Sequence, residues 1–263
     1  MNAPLAFWPP KRGKERFLSR RFTDEHVDLD IDFNLSRPEL VTSLLASCLY
    51  HTEGNNVDEQ SAWDWTVSER LQGLLALAHA STGDSTTAVA ICSNVDCRGK
   101  VELELGLSSF AEENTKTTIE WLSPNGASMS CRLPTGQDQL AWRRHAQTKN
   151  DTDEAWFVKR LLEQMTDETP ADDWIDSLGN ALETADPLTT LTLDVACPFC
   201  DQALAVEVDL ELLLIEGFRS QQRRLIEQVH RLALHYHWNE NEIVALPRWR
   251  REKYLSRVVL EFE

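Results

Sequence analysis

The sequence is poor in the features that usually announce an enzyme. Its 263 residues hold only 10 glycines and no phosphate-cradling glycine loop, and no H-E-x-x-H or G-x-S-x-G occurs. A nucleotide-binding loop, a zinc-protease helix and a nucleophile elbow are thereby excluded. No run of 18 apolar residues exists, so no transmembrane helix is expected. "MNAPLAFWPPKRGKERF" lacks a basic leader followed by a long apolar stretch, so a cytoplasmic chain is expected. Positive charge is scarce as well: 26 Lys and Arg against 43 Asp and Glu give a net charge of −17. Counterion release rewards a basic face, so nucleic acid and anionic membranes are not expected as partners.

Cysteine is sparse but not scattered. Six in the whole chain are too few for a disulfide scaffold, and in a reducing compartment clustered cysteines serve metal or redox chemistry. Cys48 and Cys131 stand alone and read as small core residues. The other four form two pairs, Cys92 with Cys97 and Cys197 with Cys200.

Hydrophobic periodicity divides the chain into three spans. Residues 1–36 read as an N-terminal arm with a basic stretch from Lys11 to Arg21, followed by "VDLDIDF", whose period-2 pattern allows a strand. Residues 37–210 read as an α+β body. Helices are expected at "RPELVTSLLASCLY" and "SERLQGLLALAHA", and alternating strands at "STTAVAICS" and "KVELELGL" flank "CSNVDC". A second hairpin is expected around Asn125-Gly126. Helices with the apolar stripes Trp156, Phe157, Leu161, Met165 and Trp174, Leu178, Leu182 follow. Then "LTTLTLDV", Cys-Pro-Phe-Cys and "ALAVEVDL" repeat the arrangement of strand, cysteine pair and strand. Residues 211–263 read as a helical segment. One long helix runs from Leu212 to Tyr236, Asn239 and Glu242 form a capping box, and a helix after Pro247 buries Trp249, Tyr254, Leu255 and Val258.

Cys-Pro-Phe-Cys admits two chemistries. A redox dithiol needs a helix N-terminus at its first cysteine to stabilise the thiolate. Here the residues after Cys200 alternate as a strand, and Glu207 and Asp209 lie close by. A metal site needs a tight turn that aims two thiolates one way and a second pair arriving from elsewhere. Cys92 and Cys97 supply that pair. Four thiolates in tetrahedral array suit zinc. With every position taken by protein the site is structural, and no catalytic residue is expected. Zinc deaminases also carry P-C-x-x-C but need an upstream H-x-E, and "HAQ" at 145–147 has no glutamate. His235 and His237 stand two apart, which on a helix points them different ways. Nine tryptophans read mostly as core, although surplus aromatics also serve protein interfaces.

The segment from "TLTLDVACPFCDQALAVEVDL" through "QVHRLALHYHW" to "NENEIVALPRWRREKYLSRV" resembles the C-terminal part of the T-even phage baseplate hub assembly family, which also occurs in phage-tail-like contractile injection systems. Weaker counterparts extend the resemblance over roughly residues 60–258, and the first knuckle departs from the family's usual C-P-x-C by its four spacers and missing proline. The resemblance implies a non-enzymatic assembly chaperone or minor component, with baseplate hub or spike proteins as partners, working in the producer cell or retained in the particle. Two other readings stay open: a thiol-disulfide oxidoreductase using Cys197 and Cys200, and a zinc-ribbon nucleic-acid binder.

Overall fold

In a computed structural model, the structure describes residues 6–12, 15–111, 116–149, 154–162 and 172–260. Strands β1 (Ala6–Arg12) and β2 (Glu15–Ser19) form an antiparallel hairpin, which β3 (Leu49–His51) extends by pairing with β2, Ser19 opposite Leu49. Between β2 and β3 lies α1 (Arg37–Cys48), started by a reciprocal Ser36–Glu39 capping box with Pro38 in its first turn. A short α2 (Glu59–Asp64) leads to α3 (Val67–Thr82), which opens with a second box, Thr66–Glu69, and stops at Gly83 with φ +89°. Leu71, Leu74, Leu75, Leu77 and Ala78 bury α3 on most of its circumference.

The principal core gathers these helices and part of the span read as an arm. Phe17, Phe22, Ile31 and Phe33 are buried with Leu44, Leu45, Trp65 and Leu74. "VDLDIDF" does not form the expected strand: His26–Leu29 is a 3-10 turn. The reason is Asp28, buried in that turn, where it accepts from Thr23 N at 2.7 Å and pairs with both Arg20 Nη atoms at 2.7 and 2.6 Å. A carboxylate that collects local N–H donors favours a turn over a ladder.

Two further hairpins follow α3. Strand β4 (Ser85–Ile91) pairs in full register with β5 (Lys100–Gly106), and β6 (Thr118–Leu122) pairs with β7 (Ser128–Arg132). Asn125-Gly126 lies in the β6–β7 turn as expected, within a longer loop than a two-residue one: Gly126 N donates to Ser123 O, and Gly126 has φ +85°. The β6–β7 hairpin packs on α5 (Glu154–Leu161) and α6 (Asp172–Ala185), which follow α4 (Gly136–Lys149). Trp121, Cys131, Leu161 and Leu178 are buried there with Trp174 and Leu182 against them. The apolar stripes read from sequence face this core, except Trp156, which stacks on His145 of α4, and Met165, which lies outside the described residues.

The chain then forms β8 (Thr192–Ala196), β9 (Ala203–Glu207), and the 27-residue α7 (Leu210–Tyr236), N-capped by Asp209 and closed by His237 in the left-handed region. The start of α7 joins the principal core through Leu210, Leu214, Ile215 and Phe218. Its end packs Leu225, Val229 and Leu232 on α8 (Glu240–Val244) and α9 (Arg248–Leu260). The Asn239–Glu242 capping box is present. Trp249 departs from expectation: it is 59% exposed. Arg251 takes the inward position and donates to Val244 O and Thr23 O, turning Trp249 outward beneath the Lys253 ammonium, 5.1 Å from the ring centre.

Taken together this is an α+β chain built from small antiparallel hairpins and helices, as the alternation of periods predicts. Among the described residues no helix is long and apolar enough to cross a membrane.

Candidate metal centre

The centre is built by strand alternation. On β5 Val101, Leu103 and Leu105 point inward while Lys100, Glu102 and Glu104 are exposed at the outer face, and on β9 Leu204 and Val206 point inward likewise. These inward residues, with Val195 of β8, form one small apolar layer between the β4–β5 and β8–β9 hairpins. Each hairpin ends in a cysteine loop at the same end of that layer.

The four thiols converge. Cys92, Cys97, Cys197 and Cys200 place every pair of sulfurs within 4.8 Å. Cys92 Sγ lies 3.7 Å from Cys200 Sγ, and Cys97 Sγ lies 3.9 Å from Cys197 Sγ. A tetrahedral ion with metal–sulfur bonds of about 2.3 Å requires sulfur–sulfur edges of about 3.8 Å. None of the four is in a disulfide. The residues therefore fit a metal of the tetrahedral-thiolate type, and no other His, Cys, Asp or Glu cluster among the described residues offers a comparable set.

The two loops share a backbone plan. Cys92 N donates to Gly99 O and Cys197 N to Gln202 O, each at 2.9 Å, closing the loop on its hairpin. The residue after the second cysteine is left-handed in both, Arg98 at φ +47° and Asp201 at φ +56°. Arg98 N donates to Asn94 O at 3.0 Å, as Asp201 N donates to Cys197 O at 2.9 Å. Asn94 thus stands where a regular C-x-x-C would put its first cysteine. Cys92 reaches the cluster from two residues earlier, at the end of β4.

Asn94 compensates for that offset. Its N–H donates to Cys92 Sγ, its carbonyl accepts from Cys97 N at 3.1 Å, and its Nδ2 faces Cys200 Sγ across the cluster at 3.8 Å. Sequence reasoning did not single Asn94 out. The two-residue offset between otherwise equivalent hairpins was the signal available. Phe199 was missed too: 67% exposed, it lays its ring over the first loop, where a Cβ on Gly99 would sit 2.4 Å from Phe199 Cδ2. A side chain at position 99 would have to displace that ring.

Turn amides set the electrostatics. The Phe199 N–H, opposed by burial and helped by the Cys200 N–H, brings the Cys197 thiol down to about 7. Burial pushes Cys92 up to about 12. The Gly99 N–H draws Cys97 down, but burial and the neighbouring sulfurs outweigh it and leave that thiol raised. Cys92 and Cys197 are buried, Cys97 half-buried and Cys200 exposed.

His235 and His237 do not join any cluster; His235 packs edge-on to Tyr236. Cys48 and Cys131 are buried in the principal and β6–β7 cores, as read from sequence. No family model, curated protein or solved structure matches this chain.

Proposed function

We propose that this chain is a non-enzymatic assembly factor for the baseplate hub of a contractile tail or contractile injection system, and that Cys92, Cys97, Cys197 and Cys200 hold a structural zinc ion. The carrying observation is the closed set of four thiols joining two hairpins far apart in sequence. Such a set gives zinc no open position for water, so it stabilises shape and does no chemistry. In support of the assembly role, the segment that resembles the hub family folds as one continuous run, from β8 through the second cysteine loop to α7, α8 and α9. The excess of acidic residues favours a protein partner with a basic face over nucleic acid. The working place is the cytoplasm of the producer cell, with retention in the finished particle as a further outcome.

Affinity purification of the tagged full chain from producer cells is expected to bring down hub or spike proteins. Deletion of its gene is expected to abolish sheathed, functional particles. Intact particles from the deletion strain would overturn the assembly reading, and a metal-free protein at neutral pH would overturn the zinc reading.

One observation favours the oxidoreductase alternative: the Cys197 thiol is lowered to about 7, a value suited to a reactive dithiol. Two others oppose it. Cys197 is fully buried, closed to an attacking substrate, and a strand follows Cys200 in place of the helix such a thiol needs. Disulfide reductase turnover that is lost in Cys197→Ser would reinstate it.

A further inference from the structure

Beside the middle of α7, three arginines come together around one cleft. Thr23, Gln221, Arg224, Gln228, Arg248 and Arg251 line a cleft of about 40 Å³ between α7, the first turn of α9 and the chain entering the 3-10 turn. Among the described residues no Asp or Glu lines it.

Arg251 is the unusual member. It is 1% exposed, yet its Nη atoms donate only to neutral carbonyls, Val244 O and Thr23 O, both at 3.2 Å. Its Nε is buried with no hydrogen-bond partner. A buried guanidinium is costly unless an anion compensates it. Arg20 is paired with buried Asp28, and Arg132 and Arg160 share buried Asp138; buried Arg70, like Arg251, donates to neutral oxygens instead, but only Arg251 lines a cleft with two further arginines. Burial pushes the Arg251 pKa down, with the nearby Asp24 only partly opposing. Of the other two, Arg224 is exposed, and Arg248 gives its Nε to Glu252 at 3.0 Å.

The surrounding backbone is shaped to the same spot. Thr23 adopts φ +73°, a left-handed conformation that a β-branched residue rarely takes, and in doing so directs its carbonyl to Arg251. Arg248 is the first residue of the 13-residue α9, so the positive end of that helix dipole also faces the cleft.

We propose that this cleft binds a tetrahedral oxyanion, either inorganic phosphate or the phosphate group of a small phosphomonoester. Its volume corresponds to about three water-sized positions, which suits one such group. Two or three guanidinium forks with the Gln221 and Gln228 amides complement its oxygens. A bound oxyanion would give buried Arg251 the hydrogen-bonded anionic partner that its two carbonyl acceptors do not provide. Because the chain as a whole is strongly acidic, its general field repels anions, so binding would come from this local convergence.

The test is calorimetric titration of the full-length protein with inorganic phosphate, a phosphomonoester such as glycerol phosphate, and sodium chloride at matched ionic strength, supported by thermal unfolding in each. Saturable binding of phosphate or of the monoester is expected, with a rise in melting temperature. Arg224→Ala and Arg248→Ala should each weaken it by about tenfold, the loss of one charge-assisted hydrogen bond. Both side chains lie outside the core, so these variants keep the fold where Arg251→Ala could lose it. Binding by the free anion alone assigns the cleft to inorganic phosphate, and tighter binding of the monoester assigns it to a phosphorylated small molecule. An equal response to chloride, no binding of either phosphate at millimolar concentration, or an unchanged affinity in the Arg224→Ala/Arg248→Ala double variant would overturn the proposal.

Discussion

Cys92 and Cys200 face each other sulfur to sulfur at 3.7 Å although 108 residues separate them in the chain. The zinc ion proposed for this point would tie two hairpins whose shared apolar layer is thin, so its contribution to stability would be large. The purified protein should carry about one equivalent of zinc by elemental analysis. Cys92→Ser or Cys197→Ser should abolish that content. Each should cost at least about 3 kcal/mol, a fall of roughly 6–12 °C in melting temperature. A variant that keeps both metal and melting temperature would remove the clamp from the account.

Acid should strip the metal. Zinc takes thiolates, whereas burial holds the Cys92 thiol up at about 12 and leaves Cys97 raised, so these two bind protons at neutral pH in the metal-free protein. Metal uptake must release those protons, and lowering the pH therefore favours the metal-free form. Zinc affinity is expected to weaken steadily from pH 8 to pH 6. Calorimetry in buffers of different ionisation enthalpy should record net proton release; a pH-independent affinity is the contrary result.

Asp138 should be a focus of acid sensitivity. Burial alone would raise its pKa, but hydrogen bonds from Arg132, the Thr135 N–H and Arg160 prevail and hold the carboxyl well below its usual range. Arg160 Nε lies 2.5 Å from Oδ1, and Thr135 N and Oγ1 lie 3.0 Å from Oδ2. A depressed folded-state pKa means the stabilisation is fully present above the unfolded value near 4 and fades as pH falls through the folded value. Asp138→Asn should cost about 3 kcal/mol at pH 7. In urea titrations the gap between variant and parent should narrow below pH 4. A gap that stays constant with pH would show that charge is not its source.

Gly136 and Arg70 should prove coupled. Arg70 is fully buried and donates to Ala62 O and Pro38 O at 2.7 Å and to Thr42 Oγ1 at 3.0 Å, and burial brings its pKa down to about 10. A Cβ on Gly136 would lie 2.4 Å from Arg70 Nη1. Gly136→Ala should therefore cost about 1–3 kcal/mol through overpacking. In an Arg70→Met background the same change should cost clearly less, and strict additivity in that double-mutant cycle would refute the contact.

Much of the cysteine site was legible because two independent patterns agreed. Alternation in "KVELELGL" and "ALAVEVDL" fixed which residues face inward, and the paired cysteines marked the loops between strands. The long α7 was equally legible from the spacing of Phe218, Leu225, Val229 and Leu232. What escaped the sequence was decided by single polar groups acting across the fold. Asp28 converts an alternating stretch into a 3-10 turn through Arg20 and Thr23, and nothing in "VDLDIDF" reveals those partners. Arg251 displaces Trp249 from an inward position because Thr23 O, more than two hundred residues away in sequence, accepts its proton. Hydrophobic periodicity ranks tryptophan above arginine for burial, and only tertiary contacts reverse that order.

The wide chain separation of the two cysteine loops also sets an order of events during synthesis. Cys197 follows Cys97 by 100 residues, so at roughly 5–20 residues per second the first loop leaves the ribosome about 5–20 s before its partner exists. During that interval Cys92 and Cys97 offer only half a coordination shell, and the inward face of β5 has no apolar layer to meet. The nascent chain therefore completes this four-thiol centre only after the segment carrying β6, β7 and α4 to α6 has emerged, and before α7 to α9 are made, so the proposed zinc ion would be captured in that late interval.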